Sequence, residues 1–293
     1  MRVARRARRP TLTSGRNSII PPSDRDHVAE YAARAPLALA LERSLECQLY
    51  VGRELVRPVL DIGCGDGCFI EVLLGGSTRV DYGLDPDAHE AERARQRGVY
   101  LEVLEADAGR IPLAADSIGT VIANSTLEHV PHIEVVLGEI RRVLQPGGRI
   151  FATVPTDKFD RYAAMYRVLA RLGSHAAAER YRSLYDRFWK HVHFQSPADW
   201  QRLLERTGFE VEEVREYCPS VRCTIHDLLV PLAFPTFFMK KAIGRYYLVP
   251  PLRRAAIRLV RPALPPNALA PVAPGAGGLV FLVARRPDED LRR

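Results

Sequence analysis

Cysteine is scarce and poorly spaced for crosslinking. The five cysteines, Cys47, Cys64, Cys68, Cys218 and Cys223, form an odd set at irregular intervals. That excludes a regular disulfide framework and points to a reducing compartment. Cys64 and Cys68 would give two metal ligands, but nothing nearby supplies the others, so no metal site is read. Long apolar runs are also missing. The longest, residues 228–239, contains Pro231 and Pro235 and falls short of the roughly 20 residues that a membrane-spanning helix needs. Arg2, Arg5, Arg6, Arg8 and Arg9 crowd the N-terminus, but no apolar stretch of the kind found in a secretory leader follows them. A cytoplasmic location is expected, with contact at the inner face of a membrane left open. Acidic residues are absent between Asp227 and Asp288, and no internal repeat is visible.

What is present is enough for one sizeable domain. A chain of 293 residues can bury a core without staples. The net charge of +7 favours an anionic partner or surface without naming one. Residues 1–27 read as a flexible basic arm and 288–293 as a tail. Between them, residues 28–287 read as one domain. Residues 37–55 set Leu37, Leu41, Leu45 and Leu49 on one face of a helix. Strand and helix patterns then alternate. Strands are expected at 59–62, 79–84, 101–104, 120–123 and 150–154, and helices at 69–74, 88–97 and 133–144. This alternation predicts a parallel sheet covered on both faces. A sixth strand is expected at 210–217 and a seventh at 279–284. A helical lid (157–195) and a basic apolar insertion (218–272) complete the outline around a core at 57–156.

The residues with chemical meaning begin at Val59-Leu60-Asp61-Ile62-Gly63-Cys64-Gly65-Asp66-Gly67. A strand that enters a glycine turn and then a helix leaves free N–H groups facing a ligand at the carboxyl edge of the sheet. The spacing is Gly-x-Gly-x-Gly, which differs from the Gly-x-Gly-x-x-Gly of dinucleotide sites and disfavours a nicotinamide oxidoreductase. Asp85, followed by Pro86, ends the second strand about 20 residues later, where a carboxylate can accept both hydroxyls of a ribose. Taken alone, it could equally be a turn residue.

In order, these segments resemble the motifs of class I S-adenosylmethionine-dependent methyltransferases, in the type 11-like group. Residues 105–108, Glu-Ala-Asp-Ala, and 116–130, which include Asn124 and His129, match its third and fourth motifs, and Pro146-Gly147-Gly148 completes the series. The matching region spans about 58–155. The resemblance implies a Rossmann-like α/β fold with a seven-stranded, mostly parallel sheet in the order 3-2-1-4-5-7-6. It implies S-adenosyl-L-methionine as cofactor, held by Asp61, Gly63, Cys64, Gly65, Gly67, Asp85, Pro86, Asp107, Ala108 and Asn124, with Asp107 and Ala108 at the adenine. Gly119 departs from the family, which carries a larger residue there, and weaker local packing is expected.

His129 follows the fourth strand and is the first candidate for a general base. A helix-capping role is the competing reading. His132, His191 and His193 are weaker candidates, and Tyr162, Tyr166, Tyr181 and Tyr185 read as packing residues. The expected function is methyl transfer, with oxygen as first acceptor atom, to a small molecule, a glycan or a lipid-linked intermediate. The alternative is a non-catalytic protein that binds the cofactor. The basic insertion interleaves Lys240, Lys241, Arg245, Arg253, Arg254, Arg258 and Arg261 with aromatic and aliphatic residues. An ordinary lid with its apolar face on the core is the first reading. A peripheral membrane contact is second, and nucleic acid is third. Oligomeric state is not legible.

Overall fold

The computed structural model describes residues 18–20, 25–76, 78–264 and 269–288. Most of the expected arm and tail, and 265–268 of the insertion, lie outside the described residues. The described part of the arm lies against the domain. Ser18–Ile19 pairs antiparallel with Glu54–Leu55. The Asp26 side chain caps helix α1 (His27–Ala32) by accepting from the Ala29 N–H.

Seven strands make the main sheet: β1 (Val59–Ile62), β2 (Val80–Asp85), β3 (Tyr100–Glu105), β4 (Ile118–Asn124), β5 (Leu144–Pro155), β6 (Glu210–Pro219) and β7 (Gly277–Arg285). Their order is β3-β2-β1-β4-β5-β7-β6. The first five are parallel, and β7 runs antiparallel between β5 and β6. This is the Rossmann-like arrangement the motifs imply.

The two faces of the sheet bury different layers. Leu60 and Ile62 of β1 join the core under α5 (Ile133–Val143) and α8 (Pro197–Arg206). Val59 packs on the other face, in the core formed with α2 (Leu37–Tyr50) and α3 (Cys68–Leu74). The alternation of a strand therefore sends Asp61 to the α2–α3 side. On α5 the buried residues Ile133, Val136, Leu137, Ile140 and Val143 fall at helical spacing, each worth about 1.5–3 kcal/mol of burial. Helix α4 (Ala88–Arg97) starts at the Asp87 cap and ends at Gly98, which adopts the left-handed conformation.

Gly119 turns out to be required where it stands. A Cβ there would sit 2.5 Å from the Val56 carbonyl oxygen, so the close approach of two backbones, and not loose packing, explains the departure.

The second half rides on this core. The lid comprises α6 (Ala164–Arg171), which has no buried residue, and α7 (His175–Trp189), whose buried residues are Ala178 and Tyr185. The insertion is helical: α9 (Ser220–Ile243) continues through Pro231 and Pro235, and α10 (Pro250–Val260) follows. No helix among the described residues is long and apolar enough to cross a membrane.

Candidate active site

The glycine turn is stitched to the end of β2. The Gly63 and Cys64 N–H groups both donate to the Leu84 carbonyl, at 2.8 and 3.1 Å. Two glycines here answer different needs. Gly63 lies against Thr126, whose side chain would be 2.5 Å from a Cβ. Gly65, at φ +52°, has nothing within 4 Å of its Cβ position and leaves open space for a ligand.

Beside the turn opens a cavity of about 330 Å³, bounded by Ile62, Gly63, Leu84, Asp85, Pro86, Asp107, Ala108, Ser125, Thr126, His129, Val130 and Pro131. Asp85 is set firmly in its wall. Its Oδ2 accepts from the Gly65 N–H and its Oδ1 from the Asp87 N–H, both at 2.9 Å. Burial raises the pKa of this carboxyl, and the two N–H groups oppose the rise. Asp107 Oδ1 accepts from the Gly109 N–H at 2.7 Å, a local turn that holds the carboxylate at the far end of the cavity.

Six of the expected residues thus meet at one cavity: Gly63, Asp85, Pro86, Asp107, Ala108 and His129. Asp61, Cys64, Gly65, Gly67 and Asn124 do not line it. Asp61 points into the α2–α3 layer and accepts from the Tyr100 hydroxyl at 2.6 Å. Burial pushes its pKa up to about 7. Cys64 is buried. Gly67 is the left-handed cap at the start of α3. Asn124 donates to Glu46 Oε2 at 2.7 Å and accepts from Thr153 Oγ1 at 3.0 Å.

Glu46 was not foreseen. It is fully buried and accepts from Asn124, from Ser125 Oγ at 3.1 Å and from the Tyr217 hydroxyl at 3.2 Å. Arg43 pairs with it at 2.8 Å and also touches Ser125 Oγ. Ser125 holds a positive φ of 46°, and its N–H donates to the Thr153 carbonyl and hydroxyl. Glu46 therefore fixes the loop that forms one wall of the cavity. The signal in the sequence was that Glu42, Arg43 and Glu46 are the only charged residues on a mostly apolar helix.

A cluster of acids and histidines surrounds His129. Its Nδ1 faces the Lys190 carbonyl at 3.1 Å, and its Nε2 lies 3.8 Å from Glu128 Oε1. The His191 ring is 5.1 Å from that of His129. One donor atom from each of Glu128, His129 and His191 lies within 4.8 Å of the others, a spacing at which the three could ligate one cation. Burial pushes Glu128 up to about 8 and His191 down to about 3. It lowers His129 as well, against the opposing effect of the Lys190 carbonyl. Deeper in, His226 Nε2 lies 3.2 Å from Glu42 Oε2, with burial pushing His226 down to about 3 and Glu42 up to about 7.

The other candidates have structural roles. His193 meets the Val130 carbonyl at 2.7 Å. His132 caps α5 by position, without a side-chain hydrogen bond. Tyr162, Tyr166 and Tyr181 donate to Ala276, Glu179 and Asp227, and Tyr185 is buried.

Known proteins share this architecture. A model described as a methyltransferase domain matches residues 26–214. The chain is 31% identical over 128 residues to sterol 24-C-methyltransferase erg-4 of Neurospora crassa, covering 41% of this chain and 33% of that protein. It is 32% identical over 167 residues to the ubiquinone/menaquinone biosynthesis C-methyltransferase UbiE of Sinorhizobium fredii, covering 52% and 64%. It therefore spans less than two thirds of the length of these relatives. Among solved structures, the [4+2]-cyclase SpnF matches with a TM-score of 0.53 and 17% identity over 92% of this chain and 87% of that one, a likeness of fold. With the matched domain covering well over half of its length, the chain belongs to the class I S-adenosylmethionine-dependent methyltransferases.

Proposed function

We propose that the chain binds S-adenosylmethionine in the cavity beside Gly65 and transfers its methyl group to an oxygen of a small molecule, a glycan or a lipid-linked intermediate. One observation carries this reading. A single cavity has two carboxylates, Asp85 and Asp107, on its wall together with an imidazole, that of His129. The residues fit the cofactor: Gly65 leaves open space, Asp85 would take the ribose hydroxyls and Asp107 with Ala108 the adenine edge.

The bound sulfonium supplies a methyl group already activated for transfer. The chain must align an acceptor and remove its proton. His129 is placed for the second task. With its Nδ1 hydrogen donated to the Lys190 carbonyl, its Nε2 carries the free lone pair. Its lowered pKa keeps the imidazole neutral, and so able to accept a proton, at pH 7. Glu128, its pKa pushed up to about 8 by burial, is protonated at that pH and adds no charge beside the imidazole.

A second reading places the methyl on carbon. It is favoured by the names of the two curated relatives, both C-methyltransferases. The same base serves, because a carbon acceptor also loses a proton. A third possibility, cofactor binding without turnover, has the [4+2]-cyclase as a precedent for this fold in a protein not named as a methyltransferase.

Incubation with methyl-labelled cofactor and separate lipid, glycan and metabolite extracts tests the proposal. Label should enter one fraction and vanish with His129→Ala. Alkali-labile or ether-linked label supports oxygen, and a carbon–methyl signal in the product supports the second reading. Tight cofactor binding with no labelled product from any fraction overturns methyl transfer.

A further inference from the structure

One face of α9 packs on the core, as a lid would, but the fold leaves much of the remaining apolar surface of α9 and α10 in solvent. Leu232 is 74% exposed, Phe238 71% and Leu259 83%, and Leu228, Leu248 and Leu252 are also exposed. On α9 the exposed residues Leu228, Leu232 and Phe238 lie along one helical stripe with the exposed Pro231 and Pro235. The opposite face, with Cys223, His226, Asp227, Val230 and Ala233, is buried. A stretch of this size is not the scattered apolar exposure normal in a monomer.

The cations divide in the same way. Lys240 turns inward to Glu90 at 3.1 Å and Asp66 at 3.6 Å. Arg253 turns inward to the Tyr247 ring and the Ala32 carbonyl. Lys241, Arg245, Arg254 and Arg258 are exposed and make no ion pair among the described residues. No acidic residue occurs from 228 to 287 to oppose them. Exposed cations without an ion pair and large exposed apolar side chains therefore occur together along these two helices, with no carboxylate between residues 228 and 287. A cleft of about 230 Å³ between α2, α9 and Tyr247, with Leu232 in its wall, opens at this face. From the face a line of ring contacts runs inward, from Phe234 to Phe188, Trp189, His226, Phe159, His191 and finally His129.

We infer that α9 and α10 dock on the surface of an anionic membrane, lying in its interface, and that the methyl acceptor is a lipid-linked molecule delivered from that surface. Only the second half of this statement rests on the methyl-transfer reading. The apolar stripe would enter the boundary between head groups and acyl chains, and the four free cations would face the anionic head groups.

The full chain is mixed with vesicles of neutral phosphatidylcholine, or of the same lipid with about a third phosphatidylglycerol, and floated on a density gradient. Binding to the anionic vesicles is expected, and it should weaken with added salt. Lys241→Glu with Arg245→Glu should lower the partition coefficient at least ten-fold, and so should Leu228→Ser with Phe238→Ser. A Phe238→Trp variant should be quenched by lipids brominated along the acyl chain, a position-specific readout independent of the double variants. Calorimetry with the cofactor should give unchanged affinity for every variant, so that loss of docking is distinguished from loss of the cofactor site. Failure to float, or equal flotation of both double variants, overturns the docking. A dimer that Phe238→Ser dissociates, or tighter binding to RNA than to vesicles, overturns it in favour of a protein or nucleic-acid surface.

Discussion

Replacement of Asp85 by alanine should weaken cofactor binding ten- to hundred-fold. The carboxylate accepts two backbone N–H groups, from Gly65 and Asp87, at 2.9 Å each, and still borders the cavity with lone pairs to spare. A hydrogen bond to a charged group is worth about 1.5–3 kcal/mol, which gives the stated range at about 1.4 kcal/mol per ten-fold. A second loss is internal. The Gly65 N–H would lose its acceptor, at about 1 kcal/mol, and the turn would loosen where the ligand rests. Asparagine separates the two effects. It keeps the shape and one carbonyl acceptor, but it sets an amide NH₂ against one of the two N–H donors and removes the charge. Titration calorimetry with S-adenosylmethionine and with its demethylated product reads the affinity, and thermal melting reads the turn. Because burial raises the Asp85 pKa, affinity should begin to fall on acidification at a higher pH than for an exposed aspartate. If Asp85→Ala and Asp85→Asn both bind within two-fold of the parent, Asp85 does not hold the ribose and the reasoning fails.

Three further outcomes are expected. His129→Gln should reduce kcat by about 10²–10⁴ with cofactor affinity unchanged, and the parent's kcat should fall on acidification only below pH 6.5, since burial lowers this imidazole; an acid limb centred above 6.5 would remove His129 as the base. Asp61→Asn should stabilise the fold at pH 8.5 and not at pH 4. A carboxyl raised to about 7 from 3.8 binds a proton on folding, so stability declines as pH rises through that window, by up to the order of 4 kcal/mol; parallel melting curves at both pH values would refute this. Glu46→Gln breaks a buried pair with Arg43 and puts a donor among donors, so the urea midpoint should drop by the equivalent of about 3 kcal/mol; an unchanged midpoint would show that the pair does not hold the 124–126 loop.

The parts legible in the sequence are those encoded locally. Strand 59–62 and helix 88–97 have the bounds their patterns predict, because β1 is a short apolar run ended by glycine and α4 lies between an aspartate cap and Gly98. The cavity wall was legible for the same reason, since Asp85 closes a strand and Gly63 and Asp107 each sit just past one. Contacts between distant residues were not. Tyr100 reaches Asp61 from 39 residues away, and Tyr217 reaches Glu46 from 171. No periodicity reports such pairs, so the bond from Tyr100 to Asp61 and the bond from Asn124 to Glu46 were not foreseen. Helix α9 was obscured differently. Its two prolines read as breaks in local terms, yet the helix continues past both with one face buried against the core.

That helix brings the two halves of the site together. Near its start, Asp227 accepts from the Tyr181 hydroxyl of the lid at 2.9 Å and from the Ala164 N–H at 2.8 Å, and His226 stands against Glu42 beside the acid–histidine cluster. Near its end, Lys240 reaches Asp66 in the glycine turn and Glu90 at the start of α4. Asp66 is held ionised by Lys240 and Arg97, which lower its pKa against the effect of burial. One helix therefore contacts the lid, the acid–histidine side of the cavity and the glycine turn, and carries the outer stripe inferred to meet a membrane. The inferred docking stripe and the contact with the glycine turn thus belong to the same 24-residue helix. The basic insertion is then part of the catalytic domain's own architecture, not an appendage to it.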